Sequence, residues 1–295
     1  MISNSKRFLN GKISASSFIA MLAIYMFLSE LGQAILGSFV SVKSAVYVLV
    51  CGTFPPISMF LTILIVKLVI KQPFGYITSF SKFKPKHIVS ALLLSAGMFL
   101  GLGWVNISIS MLFEKIGVNS SSITLPLNNG LQFVLSCVVF ALLPAVAEEF
   151  FFRGVMQNGL KGSGIFASSL MVGLFFALYH LSVQQLLYQF IFGVMMCVIV
   201  SVSKSVIPSV ISHFINNFVI ILLTYLGVEV NFFNPLLIAL GLCSLCAFIM
   251  LCVTDKNFKK ARAVTTSGGV RSFLIPSGIL PIAFCVLMII VLAVV

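Results

Sequence analysis

Glu148 and Glu149 stand side by side in the run Glu148-Glu149-Phe150-Phe151-Phe152-Arg153-Gly154, inside one of the most apolar stretches of the chain. The sequence has only six acidic residues in 295. A charge at the middle of a membrane-type helix costs roughly 2–3 kcal/mol even on the lenient insertion scale. Two adjacent carboxylates in such a place point to intramembrane acid/base chemistry. On a helix, Glu149 and Arg153 are four apart and share a face, with the glutamate on the favourable N-terminal side. Glu148 is rotated about 100° from Glu149. Arg153 can therefore neutralise one carboxylate while the other projects elsewhere. This asymmetry gives Glu149–Arg153 a structural role and leaves Glu148 free to act. Pro144 lies one turn before Glu148, removes a helical hydrogen bond and predicts a bend beside the site. The competing reading is that both glutamates only bind neighbouring helices.

Two of the three histidines also fall in apolar segments. His180 ends Phe176-Ala177-Leu178-Tyr179-His180, and His213 opens His213-Phe214-Ile215-Asn216-Asn217. His213 and Asn217 share a helical face, so two donors could clamp a carbonyl oxygen that turns negative during reaction. The plainer role for a membrane histidine is to hydrogen-bond a neighbouring helix. His87 sits in a basic loop and asks for no functional explanation. Glu30 and Gln33, with no motif around them, read as packing residues. So do Cys243 and Cys246, whose C-x-x-C would need a polar, accessible setting to work as a redox or metal pair.

The chemistry these residues suit is hydrolysis by activated water. A carboxylate among Phe150, Phe151 and Phe152 loses solvation and becomes a stronger base, which with a histidine can polarise water. No cysteine or serine is spaced for a covalent acyl-enzyme route. Two histidines and two glutamates also form a donor set for zinc, although the spacing is not His-Glu-x-x-His and the Asn217 amide is a poor ligand. The expectation is therefore no cofactor; a metal-dependent variant of the scheme would use Glu148, His180 and His213. Two non-enzymatic alternatives remain at this point. Glu148, His180 and His213 could form the proton relay of a transporter, or the chain could be a non-catalytic scaffold or immunity protein. No inverted repeat or paired Gly/Pro-broken segments support the transporter.

The elements that position these groups are membrane helices. Hydrophobic residues make up 60% of the chain and charged residues 8%, and the mean hydropathy is +1.18. A soluble domain carries about 25% charged residues. Apolar runs of about 20 residues recur, each long enough to cross a bilayer. The expected spans are 13–40, 45–70, 88–113, 130–156, 165–182, 184–203, 205–226, 233–254 and 273–295, the first and last being the least defined. Backbone groups in lipid must be satisfied within their own segment, and these runs are too continuous for barrel strands. The sequence thus predicts an all-α polytopic bundle of eight or nine spans.

Charge placement orients it. With the N-terminus in the cytoplasm, Lys6, Arg7 and Lys12 fall inside, as do the basic residues of the loops near 71–87 and 255–272. Of 18 basic residues, only Lys43 and Lys115 fall outside, as the positive-inside rule asks. The same lysines and arginines face anionic lipid headgroups, which explains the net charge of +12 without a nucleic-acid partner. The first apolar run is longer than a signal peptide core and no small-residue cleavage site closes it, so it reads as a retained helix.

The order Glu-Glu-x-x-x-Arg, Phe-x-x-x-His, His-x-x-x-Asn on three helices resembles the CPBP family of intramembrane proteases, which includes type II CAAX prenyl endopeptidases and bacterial Abi, bacteriocin-processing proteins. The resemblance covers about residues 130–226. It implies protease core helices at 130–226, flanked by transmembrane helices at 1–129 and 227–295. It implies an endopeptidase with its site open to the cytoplasmic side of, by expectation, a bacterial plasma membrane. By this resemblance Glu148 is the general base, His180 helps it hold water, and His213 and Asn217 are oxyanion donors. Glu149, Arg153 and Phe176 match the supporting positions. The substrate is a membrane-associated peptide or protein. Whether it is prenylated, and the oligomeric state, are not legible. Geometrically, Glu148, His180, His213 and Asn217 are expected to face one polar cavity.

Overall fold

A computed structural model describes residues 8–118, 124–263, 268–274 and 278–294. Lys6 and Arg7, on which part of the charge argument rests, lie outside the described residues. Among these residues every regular element is helical. Eight helices are long and apolar enough to cross a membrane. They are α1 (Gly11–Phe39), α2 (Ala45–Ile70), α3 (Lys86–Lys115), α4 (Gly130–Gly159), α5 (Lys161–Tyr179), α6 (Leu186–Ser203), α7 (Ile207–Leu226) and α8 (Pro235–Val253). Two short helices follow, α9 (Lys256–Arg262) and α10 (Gly268–Phe273), and then α11 (Ile279–Val294). With 16 residues, α11 is shorter than the other apolar helices. Among the described residues the count is therefore eight, the lower of the two the sequence allowed.

Local chemistry sets the helix ends. Asn10, Ser44, Asn129 and Asn234 cap α1, α2, α4 and α8, each side chain accepting a backbone N–H of the first turn. Gln132 reinforces the α4 start by accepting from Asn128 N at 3.0 Å. Gly227, with φ +64°, closes α7 in the left-handed conformation that glycine adopts freely.

The bundle is held by close backbone approach and buried hydroxyls rather than by an oil-in-water core. Gly101 of α3 and Gly241 of α8 leave no room for a Cβ between the helices, and Gly173 of α5 faces Gly193 of α6 in the same way. Small residues at crossings are what helix association in lipid requires. Ser95 of α3 meets the hydroxyl and carbonyl of Ser212 of α7, both at 3.0 Å. The outer surface carries large apolar side chains such as Phe27, Leu68, Leu112, Leu131 and Leu236, which suits contact with lipid tails.

Five residues sit differently from the sequence expectation. Glu30 and Gln33 are exposed on α1 rather than packed, and Cys243 and Cys246 are exposed on α8 rather than buried. A thiol is apolar enough to face lipid without cost. His87 belongs to the first turn of α3, not a loop, and is buried with Nδ1 accepting from Lys84 N at 3.3 Å.

α4 departs most from a regular helix. It runs as a π-helix over Val138–Leu142, as α-helix over Leu143–Glu148 and as π-helix again over Glu149–Met156. Pro144 lies between the two wide segments. It has no N–H to offer the Phe140 carbonyl four residues earlier, and a wider turn is one way for the chain to absorb that loss. π segments of this kind recur at functional sites.

Candidate active site

The second π segment aims the charged residues of α4 into the bundle. Glu149 and Arg153 are fully buried and Glu148 nearly so. Arg153 Nη1 donates to Glu149 Oε1 at 2.8 Å, and Nη2 donates to the Gly193 carbonyl at 3.2 Å. The guanidinium also lies over the Phe176 ring, 4.3 Å from its centroid. One turn on, Gln157 Nε2 donates to the Cys197 carbonyl at 2.8 Å and to Ser201 Oγ at 2.9 Å. Residues 153 and 157 of α4 thus read residues 193, 197 and 201 of α6, both helices stepping by four. This ladder fixes the register of α4 against α6, and Gly193 lets the α6 backbone approach α5, whose Phe176 ring lies against the guanidinium.

His213 reaches the same cluster from α7. Its Nδ1 lies 2.9 Å from Glu149 Oε1, and its Nε2 lies 3.9 Å from Glu148 Oε2. Glu149 is therefore shared by Arg153 and His213, whereas Glu148 touches neither at hydrogen-bond distance. Among the described residues no hydrogen-bond partner reaches Glu148 Oε2. Glu149 Oε2 is likewise buried without a partner in hydrogen-bond geometry.

His180 caps α5. Its Nδ1 lies 2.7 Å from the Phe176 carbonyl, and because a carbonyl only accepts, Nδ1 carries the proton and Nε2 is left as the second ring nitrogen. The Phe176 ring touches both histidines, with centroids 4.8 Å from His180 and 5.9 Å from His213. Phe176 thus joins three of the motif's charged or polar groups through one aromatic surface. Asn217 Nδ2 donates to the Phe140 carbonyl at 3.4 Å, the carbonyl that Pro144 cannot serve.

Sequence reasoning missed one contact and three residues. The Glu149–His213 contact joins helices 64 residues apart in sequence, and no local spacing announces it. Gly193 contributes only a carbonyl. Gln157 extends the stripe Glu149, Arg153, Gln157, a signal that was available. Asn216, beside Asn217, accepts from Tyr188 Oη at 2.9 Å.

Among the described residues no three His, Cys, Asp or Glu side chains gather as metal ligands. Glu148, His180 and His213 are accordingly not gathered as a ligand set.

A family model then matches these same helices. Residues 130–219 match type II CAAX prenyl endopeptidase, Rce1-like. The matched segment contains Glu148, Glu149, Arg153, Phe176, His180, His213 and Asn217, and the resemblance read from the motifs is shown over that stretch. No curated protein and no solved structure matches the chain. The family is one of proteases, and its match together with eight apolar spans supports an integral membrane protein with intramembrane protease activity.

Proposed function

We propose that the chain is an intramembrane endopeptidase in which Glu148 activates water and His213 and Asn217 bind the carbonyl oxygen of the scissile bond. The observation that carries this reading is the shared glutamate. Glu149 is occupied by Arg153 and His213 through Oε1, whereas neither of them reaches Glu148 at hydrogen-bond distance, its Oε2 lying 3.9 Å from His213 Nε2. Buried charge must be balanced, and two carboxylates beside a guanidinium and an imidazole allow a neutral cluster when the imidazole carries its second proton. His213 then donates Nδ1–H to Glu149 and presents Nε2–H on the Glu148 side.

The reaction follows in two proton transfers. Glu148 takes a proton from water as the water oxygen bonds to the carbonyl carbon. The oxygen that becomes negative accepts from His213 Nε2 and Asn217 Nδ2. Glu148 then returns its proton to the amide nitrogen, the C–N bond breaks, and a carboxylic acid, which keeps the second water proton, and an amine leave. His180 Nε2 supports the attacking water. Phe176 keeps the guanidinium, His180 and His213 in one arrangement.

The substrate is a membrane-associated peptide, and the matched family's name makes a prenylated C-terminal CAAX segment the first class to try. Residues 130–226 form the protease core within the flanking helices. The N-terminus lies in the cytoplasm, the site opens to that side, and the basic loops rest on anionic headgroups; a bacterial plasma membrane fits this composition. Purified protein in detergent should cleave a fluorescence-quenched farnesylated CAAX peptide, and Glu148→Ala should lose that cleavage. Equal cleavage by both proteins would defeat the proposal.

A further inference from the structure

A line of amides runs from α6 through α7 to α4 beside the glutamate cluster. Tyr188 Oη donates to Asn216 Oδ1 at 2.9 Å. Asn216 Nδ2 donates to Asn217 Oδ1 at 3.4 Å. Asn217 Nδ2 donates to the Phe140 carbonyl at 3.4 Å. Each link has one permitted direction. The Phe140 carbonyl only accepts, so it requires the NH₂ edge of Asn217. That turns Asn217 Oδ1 toward Asn216, which must then offer its own NH₂. Asn216 Oδ1 is left to the Tyr188 hydroxyl, whose hydrogen ends the series. Asn216 is buried, so water does not readily replace a lost link.

We propose that Tyr188 and Asn216 are positioning residues that hold the Asn217 amide with its NH₂ edge toward α4 and the reacting oxygen. The inference rests on the reading of Asn217 as an oxyanion donor. An amide turned by 180° would show Oδ1 instead and repel the developing charge. One hydrogen of the Asn217 NH₂ serves Phe140 and the second is available to substrate. Without the Tyr188 hydrogen, Asn216 loses its reason to keep Nδ2 on Asn217. Once Asn216 turns, two amide oxygens face each other and the Asn217 orientation is no longer fixed. The Tyr188 ring packs on Phe192 with centroids 6.3 Å apart, a contact that does not need the hydroxyl.

The test is Tyr188→Phe, which keeps the ring and removes the hydroxyl. An interaction made only in the transition state lowers kcat and leaves KM in place. On the farnesylated reporter, Asn217→Ala should lower kcat about 100-fold or more, the usual effect of deleting one oxyanion donor. Tyr188→Phe should lower kcat about tenfold, since the donor remains but is misaligned part of the time, with KM unchanged. A readout independent of turnover is the side-chain ¹⁵N–¹H₂ signal of Asn217 in asparagine-labelled protein, assigned by its loss in Asn217→Ala. That signal should shift in Tyr188→Phe. An unshifted signal, or a Tyr188→Phe enzyme with wild-type kcat beside a crippled Asn217→Ala, overturns the inference. A shifted signal with full activity in Asn217→Ala would instead leave the positioning intact and sink the oxyanion role of Asn217.

Discussion

Glu149 holds two partners with one oxygen, and this makes it the residue whose loss the fold feels most. Glu149→Gln leaves Arg153 buried with the Gly193 carbonyl and the Phe176 ring but without its ion-pair partner. Removing one partner of a buried pair costs about 3–5 kcal/mol. We expect Glu149→Gln to unfold at clearly lower temperature in detergent. Glu149→Gln combined with Arg153→Met should regain much of the loss, because the Gln oxygen can still accept from His213 and no unpaired cation remains. A double variant no more stable than the single one would show that the ion pair is not what Glu149 supports. At this scale the sequence displays residue types and helical spacings well. Glu149 and Arg153 four apart, and His213 and Asn217 four apart, follow from one helix each. The Glu149–His213 and Tyr188–Asn216 contacts do not, because they depend on how separate helices are rotated and how deep they lie.

At the scale of elements, the apolar runs delimit the helices closely because membrane length and hydropathy dictate them. The π segments of α4 are not legible in this way. They depend on a tertiary fit that favours the ladder to α6, and Pro144 alone predicts only a bend. Gly193, whose carbonyl receives Arg153, sits where α6 crosses α5. A Cβ there would come 2.9 Å from Gly173 Cα and 3.1 Å from Phe176 Cδ1, so Gly193→Ala must push α6 from α5 and tilt the ring under Arg153. Overpacking of this kind costs about 1–3 kcal/mol. We expect lowered thermal stability and lowered cleavage together. An alanine variant with wild-type stability would mean that the α5–α6 crossing is looser than this geometry requires.

For the whole molecule, the distribution of lysines and arginines makes topology readable in the sequence, whereas the clasp at the basic end is not. Asp255, after α8, caps α9 by accepting from Asn257 N at 2.8 Å and pairs with Lys86 of α3. Burial raises its carboxyl, but the Lys86 ammonium and the Asn257 N–H outweigh this and hold it below the ordinary aspartate value. A depressed carboxylate contributes stability that is full above the unfolded pKa, about 3.9, and is lost as pH falls through the lower folded value. Asp255→Asn should therefore be less stable than wild type at pH 7 by no more than about 1 kcal/mol, since Lys86 is half exposed. The difference should vanish in acid, and thermal scans at both pH values check it. Topology has its own test: single cysteines introduced at Ser81 and at Val228 should react with an impermeant reagent from opposite faces of the membrane. Reaction from the same face would contradict the arrangement of spans.

The central claim is that Glu148, and not its neighbour, is the base. Glu148→Gln keeps the shape and most of the hydrogen-bonding capacity while removing the proton acceptor. Its rate of reporter cleavage, measured beside its melting temperature in one detergent, is the most direct test. The variant should melt close to wild type and show no turnover above background. Robust cleavage by Glu148→Gln would contradict it.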